Sequence, residues 1–336
     1  MKCLFCKLFN YEYWPWFVWH TLALPIHIYN SIRCKSITYF TALNPSFGKS
    51  GGFVGDFKSE INKHLPQTYR LKENVVSDMK SFAKAMMDFN LDFPVVLKPE
   101  AGERGEGVQI IDTQKEAEVY LNRKHKYPIL IQEFANFKNE YGIFVYNHPH
   151  RGWQVSGVNT KIPFDIVGDG KSNLLELVSA KCRYRQQLER LEKLENFNLK
   201  EILPKGTIKR IDNVQNHRYG AEFVNCSHLV NDRFASVILG ISAQIPGFNY
   251  GRFDVKANSF EDIENHRFKI MELNGAAAEQ TIIYDQKNTG FINSLKIVFN
   301  HLAVQGEIAR NNINKGHQPL PLKSFRTVMR THFNNN

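Results

Sequence analysis

Cysteine is scarce and odd in number, five in 336 residues. That excludes a disulfide framework as the basis of the fold and points to a reducing compartment. No Gly-x-x-x-x-Gly-Lys-Ser/Thr element is present, so a Walker A loop is absent. There is no internal repeat, and no small-residue cleavage site follows the early aromatics, which argues against a signal peptide. Acids are nearly missing from residues 286–336, which carry 7 basic side chains and only Glu307 against them. Disorder is excluded as the main state, because 25 Phe and 13 Tyr within 43% hydrophobic residues bury enough apolar surface to offset chain entropy.

The formal net charge is +10. Residues 1–80 hold 10 basic and 5 acidic side chains, whereas residues 81–285 hold 26 basic and 27 acidic. The excess therefore belongs to the two ends. It suits docking on an acidic surface better than binding nucleic acid, for which there is neither a recognised motif nor a basic stripe interleaved with aromatics.

From Tyr13 to Ile32 no residue carries a formal charge, and Trp14, Trp16 and Trp19 lie close together. The length fits a spanning helix of about 20 residues, but Pro15, Pro25, His20 and His27 interrupt it and the aromatics gather at one end. Lys2, Lys7, Arg33 and Lys35 flank the run, as in an interfacial hairpin or short amphipathic helix making peripheral contact with a membrane. The same residues suit an aromatic helix packed on the rest of the chain, or on a second subunit in a homodimer. Cys3 and Cys6 form one Cys-x-x-Cys with no second pair and read as plain thiols.

Beyond this segment, Ser36 to Ala42 is expected as a β-strand, followed by a turn with Gly48, Gly51, Gly52 and Gly55. Apolar spacing predicts a helix over Val75–Phe89 with Asn90 as its stop. Strands are expected at Pro94–Lys98, Val108–Asp112, Ile129–Phe134, Tyr141–Tyr146 and Trp153–Lys161, with a helix over Thr113–Arg123. A long charged helix is predicted over Ser172–Lys200, capped by Ser172. Strands Thr207–Ile211 and Ala221–Val224, helix Asp232–Gln244, an antiparallel pair Tyr250–Val255 and Phe268–Leu273, and a closing helix Thr289–Ala309 complete an α+β chain.

The strongest local signal runs from Phe93 to Val108. A buried strand delivers Lys98 at its end, and a loop with Gly102, Gly105 and Gly107 returns into the next strand. Backbone N–H groups of such a loop can cradle phosphate oxygens where side chains would crowd them, with the lysine supplying charge. Near the far end, Gly251-Arg252-Phe253-Asp254-Val255 is followed by Glu272-Leu273-Asn274-Gly275. On adjacent antiparallel strands Asp254, Glu272 and Asn274 can converge from one face. Three oxygen donors suit Mg²⁺, or Mn²⁺, which also takes phosphate oxygens and water. Asp254 and Glu272 sit among apolar neighbours, where an unpaired carboxylate is costly to desolvate.

On these residues the chain resembles the ATP-grasp superfamily, in pattern most similar to D-alanine-D-alanine ligases and to the ATP-grasp part of cyanophycin synthetases. The resemblance covers roughly Phe53 to Asp285. The stretch Lys161 to Leu177 is similar to the segment after the central sheet in cyanophycin synthetase, where an arginine usually stands in place of Lys161. The resemblance implies two α+β subdomains gripping ATP, Mg²⁺, and ligation of a small carboxylate to an amine through an acyl phosphate.

Carried over by position, Lys98 matches the lysine on the α-phosphate, and Gly102, Arg104, Gly105 and Gly107 the loop over the triphosphate. Lys58, in Asp56-Phe-Lys58, resembles a second phosphate lysine, with Lys161 as a further phosphate contact. Glu133 and Phe134 resemble the hinge that holds adenine, and Glu140 the acid on the ribose hydroxyls. Asp254, Glu272 and Asn274 match the metal ligands. Arg252 and the Gly275 amide resemble the groups facing the transferring phosphoryl or the tetrahedral intermediate. His217 is a candidate for the substrate side, while Cys182 and Cys226 read as structural.

The expected organisation is an aromatic, basic segment (1–35), a shortened region before the grasp (36–74), a central subdomain (75–135), a C-terminal subdomain (136–311) and a basic tail (312–336). Family ligases carry a full α/β domain ahead of the Asp-Lys pair, whereas 57 residues precede Lys58 here, so the pattern does not identify the acceptor site. Two functions follow. One is an ADP-forming carboxylate-amine ligase in the cytoplasm, associated with the inner face of the membrane. The other is a non-catalytic or regulatory ATP-binding protein on that surface.

Overall fold

A computed structural model describes residues 10–102, 105–193, 197–211 and 219–333. The chain enters through a 3-10 turn, Tyr11–Tyr13, capped by the Asn10 side chain, which accepts the Glu12 N–H at 3.0 Å. Two short helices follow, α1 (Trp16–Leu22) and α2 (Leu24–Arg33). The prolines start helices here: Pro15 precedes the first turn of α1, and Pro25 lies in the first turn of α2, where its missing N–H is not needed. Trp19 is buried against Tyr11, Phe223, Ile283 and Tyr284, with ring centroids of Tyr11 and Phe291 5.7 and 6.0 Å away. The inner face of this segment thus packs on the body of the protein. No described helix is long and apolar enough to cross a membrane.

The strand expected at Ser36–Ala42 is instead a turn closed by a 3-10 helix, Tyr39–Ala42. Its hydroxyls supply local partners that compete with a ladder: the Ser36 oxygen accepts from the Thr38 N–H (3.2 Å), and the Thr41 hydroxyl donates to the Thr38 carbonyl (2.8 Å).

Helix α3 (Lys58–Asn62) leads to strand β1 (Glu73–Val76), and α4 spans Met79–Asp88. The helix predicted from Val75 therefore begins later, because Asp78 caps it by accepting the Ser81 N–H at 2.7 Å, leaving Val75 and Val76 to the strand. Asn90, at φ +47°, ends it as expected. Strands β2 (Val95–Pro99) and β3 (Gln109–Ile111), helix α5 (Gln114–Leu121) and strand β4 (Ile129–Glu133) complete an antiparallel sheet of order β1-β4-β2-β3. Phe82, Ala85, Ala117 and Tyr120 from its two helices pack on Val95, Leu97, Ile111 and Ile131.

A second sheet is built from β5 (Asn139–His148), β6 (Gly152–Ile162), β9 (Glu222–Asn225), β10 (Tyr250–Ala257) and β11 (Phe268–Asn274), in the order β11-β10-β5-β6-β9. Between β6 and β9 lie the pair β7 (Asp165–Val167) and β8 (Ile208–Arg210) and three short helices, α6 (Leu174–Ala180), α7 (Cys182–Arg185) and α8 (Leu188–Glu192). These replace the single helix expected over Ser172–Lys200. Asn173, not Ser172, is the cap, because Ser172 is held by Asp169 at 2.7 Å, and Lys181 is extended (φ −101°, ψ 129°). The breaks let Leu174, Val178, Tyr184 and Leu191 all meet Phe164 in a small core of their own.

Helices α9 (Asp232–Ala243) and α10 (Phe260–Glu264) cover one face of the large sheet, and α11 (Phe291–Asn314) packs on the other. A last helix, α12 (Leu322–Phe333), was not expected; Phe325 seats it on Phe40 and Phe53 at 5.5 and 5.7 Å. Cys34 and Cys226 are buried free thiols, but Cys182 is disulfide-bonded, a departure from the thiols expected throughout. Cys3 and Cys6 lie outside the described residues.

Candidate active site

Register builds the centre. Arg252 pairs with Asn274 and Asp254 with Glu272 across β10 and β11, so positions two apart on each strand put all four side chains in one patch. Arg252 grips Asp254 at two points, Nε to Oδ1 at 2.8 Å and a terminal nitrogen to Oδ2 at 3.2 Å, and the Asn274 amide donates to Oδ2 at 3.4 Å. Gly142 is the ladder partner of Asp254, and a Cβ there would stand 2.5 Å from Asn159 Oδ1 and 3.3 Å from Arg252 Cδ. Its bare backbone leaves room for the guanidinium.

Two ladder positions along, Lys256, Glu140 and Lys161 form a row across β10, β5 and β6. Glu140 is bonded to Lys161 and lies 3.6 Å from Lys256, while Lys161 also reaches Asp254 at 3.6 Å. Burial opposes charge on Asp254, but Arg252 and Lys161 outweigh it and hold the carboxyl below its ordinary range. Burial likewise works against Lys161, yet Asp254 and Glu140 raise its pKa.

The first sheet contributes from across the gap. Lys98, at the end of β2, is buried and donates to Gln132 Oε1 at 3.0 Å. Desolvation pushes its ammonium down, against the pull of Glu272 and Glu73. Gln132 donates in turn to Glu73 (2.7 Å) and to the Met271 carbonyl on β11 (3.1 Å), which ties the two sheets together. Lys58 donates to the Gly102 carbonyl at 2.8 Å and lies 3.5 Å from Glu272, so it links the glycine loop to the Asp254 patch.

In that loop Gly105 and Gly107 have φ of +77° and +72°, and a Cβ on Gly107 would meet Pro99 at 2.8 Å. Arg104 and His217 lie outside the described residues. Glu133 and Phe134 line a cavity of about 390 Å³ with Asn90, Phe93 and Pro94, which neither Lys98 nor the Asp254 patch lines. Gly275 packs backbone to backbone on the turn expected to be glycine-rich: its Cα is 2.7 Å from where a Gly52 Cβ would fall, and the Ala276 N–H donates to the Gly51 carbonyl at 3.1 Å.

Lys58, Lys98, Glu140, Lys161, Arg252, Asp254, Glu272 and Asn274 are thus joined in one network, whereas Glu133 and Phe134 line the separate cavity. Sequence reasoning missed Gln132, Glu73 and Lys256. Gln132 was detectable as a polar residue directly after the apolar run Ile129-Leu-Ile; the pairing of Lys256 with Glu140 depends on register. Among the described residues no three His, Cys, Asp or Glu side chains gather to hold a metal. The Asp254, Glu272 and Asn274 oxygens nonetheless fit a hard cation that takes part of its shell from phosphate or water.

No protein-family model matches the chain. It is 25% identical over 232 residues to the glutathione biosynthesis bifunctional protein GshAB of Clostridium perfringens, a match covering 61% of this chain and 29% of that protein. It is 31% identical over 110 residues to the GshAB of Desulfotalea psychrophila, covering 29% of this chain and 13% of that one. The matched regions therefore span less than a third of these curated relatives. A solved structure of the ATP-grasp ligase PsnB with a minimal precursor is 14% identical, with a TM-score of 0.41 over 74% of this chain and 60% of that one. The likeness to ATP-grasp proteins read from the motifs is thus found in sequence comparison as well.

Proposed function

We propose that this chain is an ATP- and Mg²⁺-dependent carboxylate-amine ligase, forming an amide or peptide bond with release of ADP. The observation that carries the reading is the Lys58 bridge, which joins the glycine loop at Gly102 to Glu272 and so to the Arg252–Asp254 patch. Phosphate-binding and metal-binding elements meet there.

In this reading a substrate carboxylate attacks the γ-phosphate, bringing negative charge toward negative charge. Lys58, Lys98 and Arg252 offset that repulsion, each unit charge at about 4 Å being worth about 4 kcal/mol at an effective dielectric of about 20. Asp254, Glu272 and Asn274 would hold Mg²⁺, which neutralises phosphate oxygens when bound. Gly102, Gly105 and Gly107 close over the triphosphate and keep water from the acyl phosphate until the amine arrives. Glu133 and Phe134 border the adenine, and Glu140 takes the ribose hydroxyls. The division into a central unit at 75–135 and a C-terminal unit at 136–311 belongs to the same proposal. A regulatory ATP-binding role gives no reason to keep Asp254, Glu272 and Asn274 together as metal ligands.

The test is release of ADP from Mg²⁺-ATP across a panel of amino acids and dipeptides, with products read by mass spectrometry. Nucleotide binding indifferent to EDTA, with no ADP release over the whole panel, would refute the ligase reading.

We also propose that the protein acts in the cytoplasm and touches the inner membrane face through α2. Leu24, Ile28 and Ile32, four residues apart, are exposed along that helix, and Arg33 and Lys35 flank them. An apolar stripe bordered by cations suits an anionic lipid surface.

A further inference from the structure

Glu272 is gripped through the backbone on both of its sides. The Met271 carbonyl accepts from the Gln132 amide at 3.1 Å, and the Leu273 N–H donates to Asn62 Oδ1 at 3.4 Å. β11 is the edge strand of its sheet, and Met271 is the residue that the register skips between the pairs Asp254–Glu272 and Val255–Ile270, so it has no register partner on β10. The two gripping side chains meet on one atom: Asn62 Nδ2 and Gln132 Nε2 both donate to Glu73 Oε2, at 3.2 and 2.7 Å. Asn62 and Gln132 are buried, and Glu73, on β1, is half-buried.

The partners decide how both amides are turned. Glu73 Oε2 and the Met271 carbonyl only accept, so Gln132 offers them its nitrogen, and its oxygen is left for the Lys98 ammonium, which only donates, at 3.0 Å. The Leu273 N–H only donates, so Asn62 turns its oxygen to it and its nitrogen to Glu73. An acid at position 73 satisfies both amides at once. Other charges surround the bridge without forming it. Lys98 also feels Glu272, Lys58 and Glu100, and Glu73 feels Lys98 and Glu100. Glu100 is held elsewhere by the Ser59 N–H at 3.2 Å, and Lys58 by Gly102 and Glu272.

We infer that Glu73 is a positioning residue of the phosphoryl-transfer centre: through Gln132 and Asn62 it sets the Lys98 ammonium and the backbone of Glu272 at a fixed spacing. This rests on the nucleotide reading of the site. A triphosphate with its metal ion spans a phosphate lysine on one sheet and a metal acid on the other, so their spacing has to be right before it arrives. Glu73 acts through its two amides and not by touching the nucleotide.

The test is a double-mutant cycle on the full chain, with Mg²⁺-ATP affinity read by titration calorimetry and folding by circular dichroism. Glu73→Leu is expected to weaken affinity about tenfold, the scale of one hydrogen bond to a charged group. In a Lys98→Met background the same change should cost about threefold or less, the part that runs through Glu272, because the lysine it positions is gone. Glu73→Gln can place an amide oxygen where Oε2 stands and should recover most of the loss. Equal factors in the two backgrounds, or no recovery by Glu73→Gln, overturn the positioning role and leave the nucleotide site standing. Should Glu73→Leu fail to fold, Glu73→Ala takes its place in the cycle with the same two outcomes. A parent protein that binds no Mg²⁺-ATP overturns the ligase reading and this inference with it.

Discussion

The buried Lys98 ammonium donates to the side-chain oxygen of Gln132 at 3.0 Å. The nitrogen of the same amide donates to Glu73 at 2.7 Å and to the Met271 carbonyl at 3.1 Å. One neutral side chain thus orders a cation, an acid and the facing sheet. Desolvation pushes Lys98 down and Glu73 up, so both charges depend on such partners until a ligand supplies others.

Gln132→Leu keeps the volume of the side chain and removes this bridge. Stability is expected to fall by about 1–3 kcal/mol, the range for leaving a buried polar group unsatisfied. A lower urea midpoint at unchanged slope would report it. ATP affinity should weaken in parallel, because Lys98 loses its alignment. An unaltered midpoint would mean that water replaces the amide.

Glu272→Ala should abolish ADP release with little loss of fold. The side chain is 28% exposed and its ion pair with Lys58 spans 3.5 Å, so the stability at stake is small. The catalytic loss is large because a metal-binding oxygen disappears and Lys58 loses the acid next to it. Circular dichroism and ADP release, measured on one preparation, separate the two effects. Retained turnover would remove Glu272 from the site.

Acidification should destabilise the protein between about pH 6.5 and pH 4. Burial pushes His301 down to about 4 from an ordinary value of 6.5. Gln280 donates to its Nε2 and Tyr250 lies at its Nδ1, each at 3.1 Å, a setting made for a neutral ring. The unfolded chain takes up a proton below 6.5 while the folded ring does not, so the stability is full above 6.5 and is lost as pH falls toward 4. The loss runs up to about 1.4 kcal/mol per pH unit for this group. His301→Gln should flatten the slope of denaturant midpoint against pH over that window. An identical slope would place the titration elsewhere.

How far the sequence could be read depended on where the information lay. Lys98 and the glycine loop were legible because strand, turn and strand are adjacent in sequence. The convergence of Asp254, Glu272 and Asn274 was legible because alternation on a strand is a fixed geometric rule. The row Lys256–Glu140–Lys161 was only half legible, since the register of three strands decides it. The Ser172–Lys200 segment misled because its charges suit a continuous helix, whereas Leu174, Val178, Tyr184 and Leu191 reach Phe164 only if the helix breaks. His20 and His27 were read as interruptions of an apolar run; their hydrogen bond across α1 and α2 follows from tertiary placement alone.

The N-terminal helices divide their two faces between two tasks. Trp19 is 3% exposed, so its substitution would damage the fold and reveal nothing about docking. Ile28 and Ile32 are 52% and 72% exposed, so Ile28→Asp with Ile32→Asp removes apolar surface without opening a cavity. The double variant should keep the parent melting temperature and lose co-sedimentation with anionic liposomes, while Arg33→Gln with Lys35→Gln should lose it chiefly at moderate salt, where screening already weakens the attraction. Neutral liposomes should bind less of the parent protein than anionic ones. Analytical ultracentrifugation of the same proteins supplies the contrary outcome: a dimer that the double variant converts to monomer, with no liposome binding by the parent, would assign the stripe to a second subunit. The apolar stripe and the flanking cations make different demands on salt and lipid charge, so the two double variants should fail in distinguishable ways if the surface is a membrane.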